Sequence, residues 1–338
     1  MSFDDELERG WDLLEAGDEP AARRLAERLY GDDPGHPDVL LLQAACCRQT
    51  GAIVEALQLL EQAAQADLNW AAPEIWIAEI LAEDPERWSE ALQHAAAALD
   101  RAEEEDEFLE ALALKAGLEI DVGKPTAARK TLAELPPLHA GAAVPPALAL
   151  DFAHLFLEVG DVDEATRRFQ AMVDADGRDA DAWHGLGLCA EARDDEAGKR
   201  QAWLRVLALD AEKPLAASLL SEVQMAEVAE ATLRELPRRV RELIAHVPIL
   251  IVDLPARDEV DQGLDPRLLG MFAGSPYSDP SMMGGQPQLT QILLFRKNLE
   301  RAAHSVEELR EQIRITLLHE TGHFFGMSEE DLAEVGLE

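Results

Sequence analysis

Across residues 1–215, apolar positions recur at every third or fourth place, in short runs that come in pairs. "GWDLLEAGDEPAARRLAERLYGDDP" holds one amphipathic segment, a break at Gly17, a second Ala-rich segment and a closing Pro34. "LLLQAACCRQTGAIVEALQLLEQAAQADLN" repeats the plan, with Gly51 in the place that Gly17 holds in the first unit. Gly123 and Gly160 take the same place in later units. The unit at 181–211 carries Trp183, Leu186 and Gly187, then a second segment that closes on "LRVLALDAE". The pattern predicts helical hairpins repeating at about 34–37 residues. One hairpin cannot bury its apolar face alone, so neighbours must stack, and small residues let the helices approach closely.

The W-x-x-L-G spacing followed by Ala-rich second helices resembles tetratricopeptide (TPR) repeats. About five or six units fit residues 4–214, with degenerate ones at 70–102 and 106–137. The resemblance implies an α-solenoid whose concave face binds a peptide or a protein partner. The Trp and Leu positions themselves are explained by helix packing.

The pattern changes after Pro214, and all six tryptophans lie before it. Residues 216–235 are predicted helical, and "ELPRRVRELIAH" forms another short helix. "VPILIVDLP" at 247–255 is a β-rich run bounded by prolines and predicts a strand. "LLGMFAG" at 268–274 is a weaker strand candidate, and "QLTQILLF" at 288–295 a stronger one. "ILLF" fits either an edge strand along which a peptide could pair or an ordinary core strand. Between them, "SPYSDPSMMGGQP" reads as loop. Ser305 with Glu308 makes a capping box that opens a helix through "VEELREQIRITLLHETGHFF", and Gly326 ends it. The expected fold is therefore mainly α: a helical-repeat domain at 1–215 and a small α+β domain at 216–338.

Charge narrows the partners. The net charge is −37. Residues 226–338 hold 11 Lys and Arg against 20 Asp and Glu, which leaves 19 against 47 in residues 1–225. Phosphate backbones and anionic lipid surfaces are repelled by such a chain, so neither nucleic acid nor membrane is an expected partner. Cys46, Cys47 and Cys189 form no disulfide framework, and the acidic "MSFDDELERG" is no signal peptide. No run of about 18 apolar residues exists. A cytoplasmic location is expected.

The candidate chemistry lies in "HETGHFFGMSEED" at 319–331. His319 and His323 are i and i+4 on the last predicted helix, so both imidazoles leave one face and can converge on Zn²⁺. Glu320 follows the first histidine, where its carboxylate can act as general base on a zinc-activated water. Gly326 permits a backbone turn that brings an acid back towards the metal. Three consecutive acids follow it. The spacing three residues past the glycine favours Glu329, and Asp331 is the alternative, otherwise free to cap the last short helix with Ser328. Three protein ligands leave a fourth position for water. Tyr277 is a weak candidate for stabilising an oxyanion and Asp253 for supporting a ligand histidine. His246 and His304 have no ligand spacing and are expected at the surface.

From about residue 224 onward the chain resembles the minimal zincin family of bacterial zinc peptidases, small domains with an H-E-x-x-H-x-x-G-x-x-D/E signature. "EATLRELPRRVRELI" is similar to the opening helix, "VPILIVDLP" to the first strand, and "LLGMFAGSPY" to the Leu-Gly-aromatic segment. "ILLFRKNLER" is similar to the strand before the helix, and "RITLLHETGHFFGMSEEDL" to the site. The resemblance covers about a third of the chain. It implies His319, His323 and Glu329 as zinc ligands and Glu320 as the base. Glu329 stands where many members have Asp. The expectation is a zinc-dependent peptidase acting on a protein or peptide substrate that the repeats recruit. The rival readings are a non-catalytic repeat scaffold with a structural or vestigial zinc site, and a self-processing or partner-gated protease.

Overall fold

The computed structural model describes residues 2–136, 144–214, 218–274, 291–328 and 331. The chain divides into two compact units, Met1–Met172 and Val173–Glu338.

The first unit is a row of antiparallel helix pairs. They are α1 (Phe3–Glu15) with α2 (Glu19–Asp32), α3 (Pro37–Gln49) with α4 (Ile53–Ala66), α5 (Ala72–Ala82) with α6 (Trp88–Arg101), α7 (Glu105–Asp121) with α8 (Pro125–Leu132), and α9 (Pro146–Glu158) with α10 (Val162–Ala175). Gly17, Gly51, Gly123 and Gly160 close four of these turns with φ between 73° and 80°. That left-handed region strains any residue with a Cβ. The α5–α6 connection instead uses a short 3-10 turn at Pro85–Arg87. The alanines are structural: Ala56, Ala63, Ala91 and Ala95 are fully buried, and they let neighbouring helices close on Ile77, Leu81 and Leu60.

The second unit opens with α11 (Ala180–Glu191) and α12 (Glu196–Glu212), a sixth hairpin. Here Asp194, one repeat on from Gly160, holds the left-handed position at φ 55°. Asp tolerates that region better than most residues. A Cβ on Gly187 would overlap the indole of Trp203, so the glycine of the W-x-x-L-G signature exists to admit a buried tryptophan from the next helix.

The rest of this unit runs α13 (Glu222–Glu235), α14 (Arg238–Ile244), β1 (Ile249–Val252), α15 (Arg257–Asp261), β2 (Gly270–Ala273), β3 (Gln291–Phe295), α16 (Arg296–Arg301) and α17 (Val306–Phe324). All three expected strands are present. They form one sheet in the order β1-β3-β2, with β1 parallel and β2 antiparallel to β3. "ILLF" is therefore the central strand, and the edge-strand reading is corrected: Ile292, Leu294 and Phe295 are fully buried, and the edges are β1 and the weaker candidate, β2. A continuous apolar run marks a strand covered on both faces. α17 crosses β2 and β3, and Ile313 and Leu317 meet Ile292, Leu294 and Met225 in the core. The segments read as loop at 275–287 and as a last short helix from 329 fall outside the described residues, apart from Asp331.

The sequence boundary at 215/216 follows a change in composition, whereas the packing division falls between Met172 and Val173. α11 and α12 are bound to the strand-bearing part by charge. Asp210, 1% exposed, accepts from Arg267 Nε at 3.2 Å and from Arg301 Nη1 at 2.9 Å. Arg267 also pairs with Asp181 at 2.7 Å. His184 Nε2 lies 3.0 Å from both oxygens of Asp265.

Burial by itself would raise the Asp265 pKa, but the bond and charge of His184 and the Arg267 N–H outweigh it and hold the carboxyl below its ordinary value. A depressed carboxyl stabilises the fold above its unfolded pKa, about 3.9, and that stability is lost as pH falls through the lower folded value. Asp265→Asn is therefore expected to lower stability at neutral pH and flatten the loss below about pH 4, read from urea midpoints across pH. An unchanged acid slope would remove this pair from the acid response.

Candidate metal centre

The site forms where one helix ends. Ser305 caps α17, its hydroxyl accepting the Glu308 N–H at 3.1 Å. The reciprocal half of the expected capping box is displaced by one residue, because the Glu308 carboxylate accepts the N–H of His304, not that of Ser305. At the other end Gly326, φ 76°, reverses the chain. Its N–H bonds the His323 carbonyl at 2.9 Å, and the Met327 N–H bonds the Gly322 carbonyl at 3.1 Å. This is the paired closure of a Schellman motif. It also carries the Met327 carbonyl to within 3.3 Å of His323 Nδ1.

With its proton on Nδ1, His323 donates to the Met327 carbonyl and carries its lone pair on Nε2. His323 Nε2 lies 2.9 Å from His319 Nε2, and the rings meet at 80°. Imidazole nitrogens are donors that zinc takes, and i, i+4 spacing brings these two together on one face. Both histidines are half-buried.

Glu320 stands behind them, 7% exposed. Its Oε2 accepts the N–H of Phe272 at 2.5 Å, so a backbone donor on edge strand β2 fixes the carboxylate. Gly270 permits this approach: a Cβ there would stand 2.6 Å from Thr316 Cγ2 and 3.0 Å from the Leu293 carbonyl. The Phe272 and Phe324 rings pack edge-on at 5.8 Å and lock β2 to the helix. The cleft between β2 and the end of α17 encloses about 490 Å³. Leu268, Met271, Phe272 and Met327 line it beside His319, Glu320 and His323.

The described residues contain no group of three or more metal-ligating side chains. Glu329, like Glu330 and Tyr277, lies outside the described residues. Asp331 is described. Its Oδ2 accepts from Ser328 N and Oγ, both at 2.8 Å, and its N–H returns to Ser328 Oγ at 3.2 Å. That is the capping role expected of Asp331. These bonds lower the Asp331 pKa, the backbone N–H most.

Asp253 does not support a histidine. Its Oδ1 takes Arg296 Nη2 at 2.6 Å and Nε at 2.9 Å, because β1 and β3 run parallel and end together, placing Asp253 beside Arg296. His246 and His304 are exposed. The features missed from sequence were the Phe272 N–H and the Met327 carbonyl. Neither carries a side-chain signal, since both act through backbone.

Residues 244–337 match the family model of the zincin-like metallopeptidases, and residues 13–80 and 150–217 match two tetratricopeptide repeat models. The chain carries a zincin-like region behind tetratricopeptide repeats. The zincin-like match spans all three strands and the whole of α17. Among solved structures, Pseudomonas aeruginosa pilF shares 18% identity at a TM-score of 0.51, over 62% of this chain and 93% of that one. PilW, described as a widely conserved type IV pilus biogenesis factor, shares 15% identity at 0.51, over 62% of this chain and 94% of that one. Both likenesses concern the helical-repeat fold. No curated protein matches the chain. Among the described residues, no helix is long and apolar enough to cross a membrane.

Proposed function

We propose that this protein is a zinc-dependent peptidase whose tetratricopeptide repeats recruit its substrate or a partner protein. The observation that carries the reading is the pair of imidazole Nε2 atoms 2.9 Å apart beside a buried, backbone-held Glu320. His319 and His323 would hold zinc with Glu329 as third ligand, leaving Asp331 to its cap. When bound, zinc lowers the pKa of water and polarises a carbonyl.

The protein's own residues do the rest. Glu320 takes the proton from the attacking water and returns it to the leaving amine. The Phe272 N–H keeps the Glu320 carboxylate aimed, and the Met327 carbonyl holds the His323 tautomer. Edge strand β2 offers backbone to an extended peptide across the cleft. Tethering recruitment to catalysis raises the local substrate concentration.

The buried cysteine thiols fit a reducing cytoplasm. Burial, followed by the neighbouring Cys47, pushes the Cys46 thiol up to about 11, far from reactivity.

The test is metal content. Protein purified without chelators is expected to carry about one zinc per chain. Glu329→Ala should lose most of it, by analogy with the ten- to hundred-fold or greater effects of site disruption, while Asp331→Ala keeps it. Metal-free wild type would sink the ligand assignment, and loss on Asp331→Ala alone would transfer the third position to Asp331. Bound zinc with no turnover on a broad peptide library would replace the peptidase by a repeat scaffold with a structural zinc site.

A further inference from the structure

We infer that the solenoid's first-helix face is a receptor for an extended peptide bearing several Lys or Arg side chains. The inference rests on the recruiting role proposed above and names the chemistry of what is recruited.

The face is formed by the first helix of successive pairs. Between α5, α7 and α9 lies a cavity of about 420 Å³. Its floor is apolar, with Ile75 and Leu118 buried and Leu114 and Leu155 half-buried. Its walls carry Glu79, Glu110, Asp121, Asp151 and Glu158, and neither Lys nor Arg lines it among the described residues. Arg48 lies outside the cavity and engages Glu79 at 2.9 Å. The other four carboxylates have no hydrogen bond or ion pair among the described residues.

These carboxylates face solvent yet are desolvated on one side by the groove. Burial raises the pKa of all four, and like charge adds to it: Glu79 acts on Glu110, and Asp121 acts on Glu158. His154 beside Asp151 opposes the shift in part. A wall of mutually repelling carboxylates over an apolar floor costs stability that a cationic ligand would recover.

Spacing selects the ligand. Glu110 and Asp121 are eleven positions apart on α7, a rise of roughly 16 Å. Asp151 and Glu158 are seven apart on α9, two turns along one side, or roughly 10 Å. One metal ion cannot bridge such distances. About five residues of extended chain span roughly 16 Å, with the alkyl stems of Lys or Arg on the apolar floor and their heads at the walls. A second recess of about 420 Å³, with Arg48 in its lining, lies between α1, α3 and α5. There Trp11 and Trp76 stand edge-on at 6.0 Å beside Leu14, a seat for an apolar residue of the same peptide.

The test uses the full chain and fluorescence anisotropy. The probe is a fluorescein-labelled peptide of about a dozen residues built from Lys-Leu-Pro-Ala units, with a Glu-Leu-Pro-Ala counterpart. The Lys peptide is expected to bind at least about ten-fold tighter, with affinity falling as salt rises. Asp151→Asn with Glu158→Gln should weaken it about ten-fold while leaving the melting temperature unchanged or raised, because repulsion is removed. Glu55→Gln with Glu61→Gln, an equal charge change on exposed α4 positions outside both recesses, should leave binding as it was. Equal binding of the two peptides, or equal loss in the two double variants, would overturn the inference and reduce it to bulk charge. Zinc content measured on the same samples keeps this outcome separate from failure of the peptidase reading.

Discussion

Glu320→Gln is expected to leave about one zinc per chain in place and to lower peptide hydrolysis by on the order of 10²–10⁴-fold. Gln is close to isosteric with Glu, and its amide oxygen can keep the Phe272 N–H bond that holds the side chain. The buried position, 7% exposed, and the packing of β2 on α17 should survive. The ability to accept a proton is lost. An effect confined to the transition state lowers kcat and kcat/KM together and leaves KM nearly unchanged. Full activity in the variant would remove Glu320 as base. Loss of zinc together with activity would show that the substitution disturbed the helix, and melting temperature distinguishes that case.

The second large effect concerns what the zincin-like region needs in order to fold. A chain beginning at residue 173 is expected to fold, and one beginning at 216 is not. The longer piece keeps α11 and α12, and with them Asp210, Asp181 and His184. In the shorter piece Arg267 and Arg301, 18% and 32% exposed, lose the buried Asp210 carboxylate between them. Breaking one buried charge network costs about 3–5 kcal/mol, a large part of the roughly 5–15 kcal/mol that holds a typical domain. The partial exposure of both arginines places this network at the low end of that range. The contact that α12 makes with α15, including the Arg200–Asp261 pair, would be lost as well. Asp210→Ala in the full chain is the milder version, expected to lower the melting temperature of the C-terminal unit while leaving α1–α9 intact. A cooperative melt from the 216 fragment would place the folding boundary where composition alone puts it.

Much of this molecule was legible because its signals are local. The glycine spacing marked the hairpin turns, since a left-handed turn has few alternatives to glycine. Where Asp194 fills that position, the signal fails but the turn persists. The i, i+4 histidines and Gly326 follow from helix geometry and the steric freedom of one residue, so the convergence of the imidazoles and the end of α17 were readable in advance. β1 was marked by its bounding prolines and β-branched run and β3 by its apolar run, while β2, Gly-Met-Phe-Ala, carried the weaker signal.

The remainder is non-local. Strand order depends on which apolar runs are covered on both faces, and only packing made β3 central and β2 the edge beside the cleft. Asp253 is distant from both His319 and Arg296 along the chain, and spacing does not choose between them; the parallel β1–β3 pairing gave it to Arg296. The same holds for the Phe272 N–H that aims Glu320 from another element; the Met327 carbonyl beside His323 is local, but like the Phe272 N–H it has no side chain to announce it. The repeat, the last helix and the types of donor atom are written in the spacing of a few neighbours, so the chain could be read for them directly. Sheet order, the charge network that ties α11 and α12 to the zincin-like region, and the Phe272 N–H that holds Glu320 arise from packing. They depend on contacts between residues tens of positions apart, which local spacing does not encode.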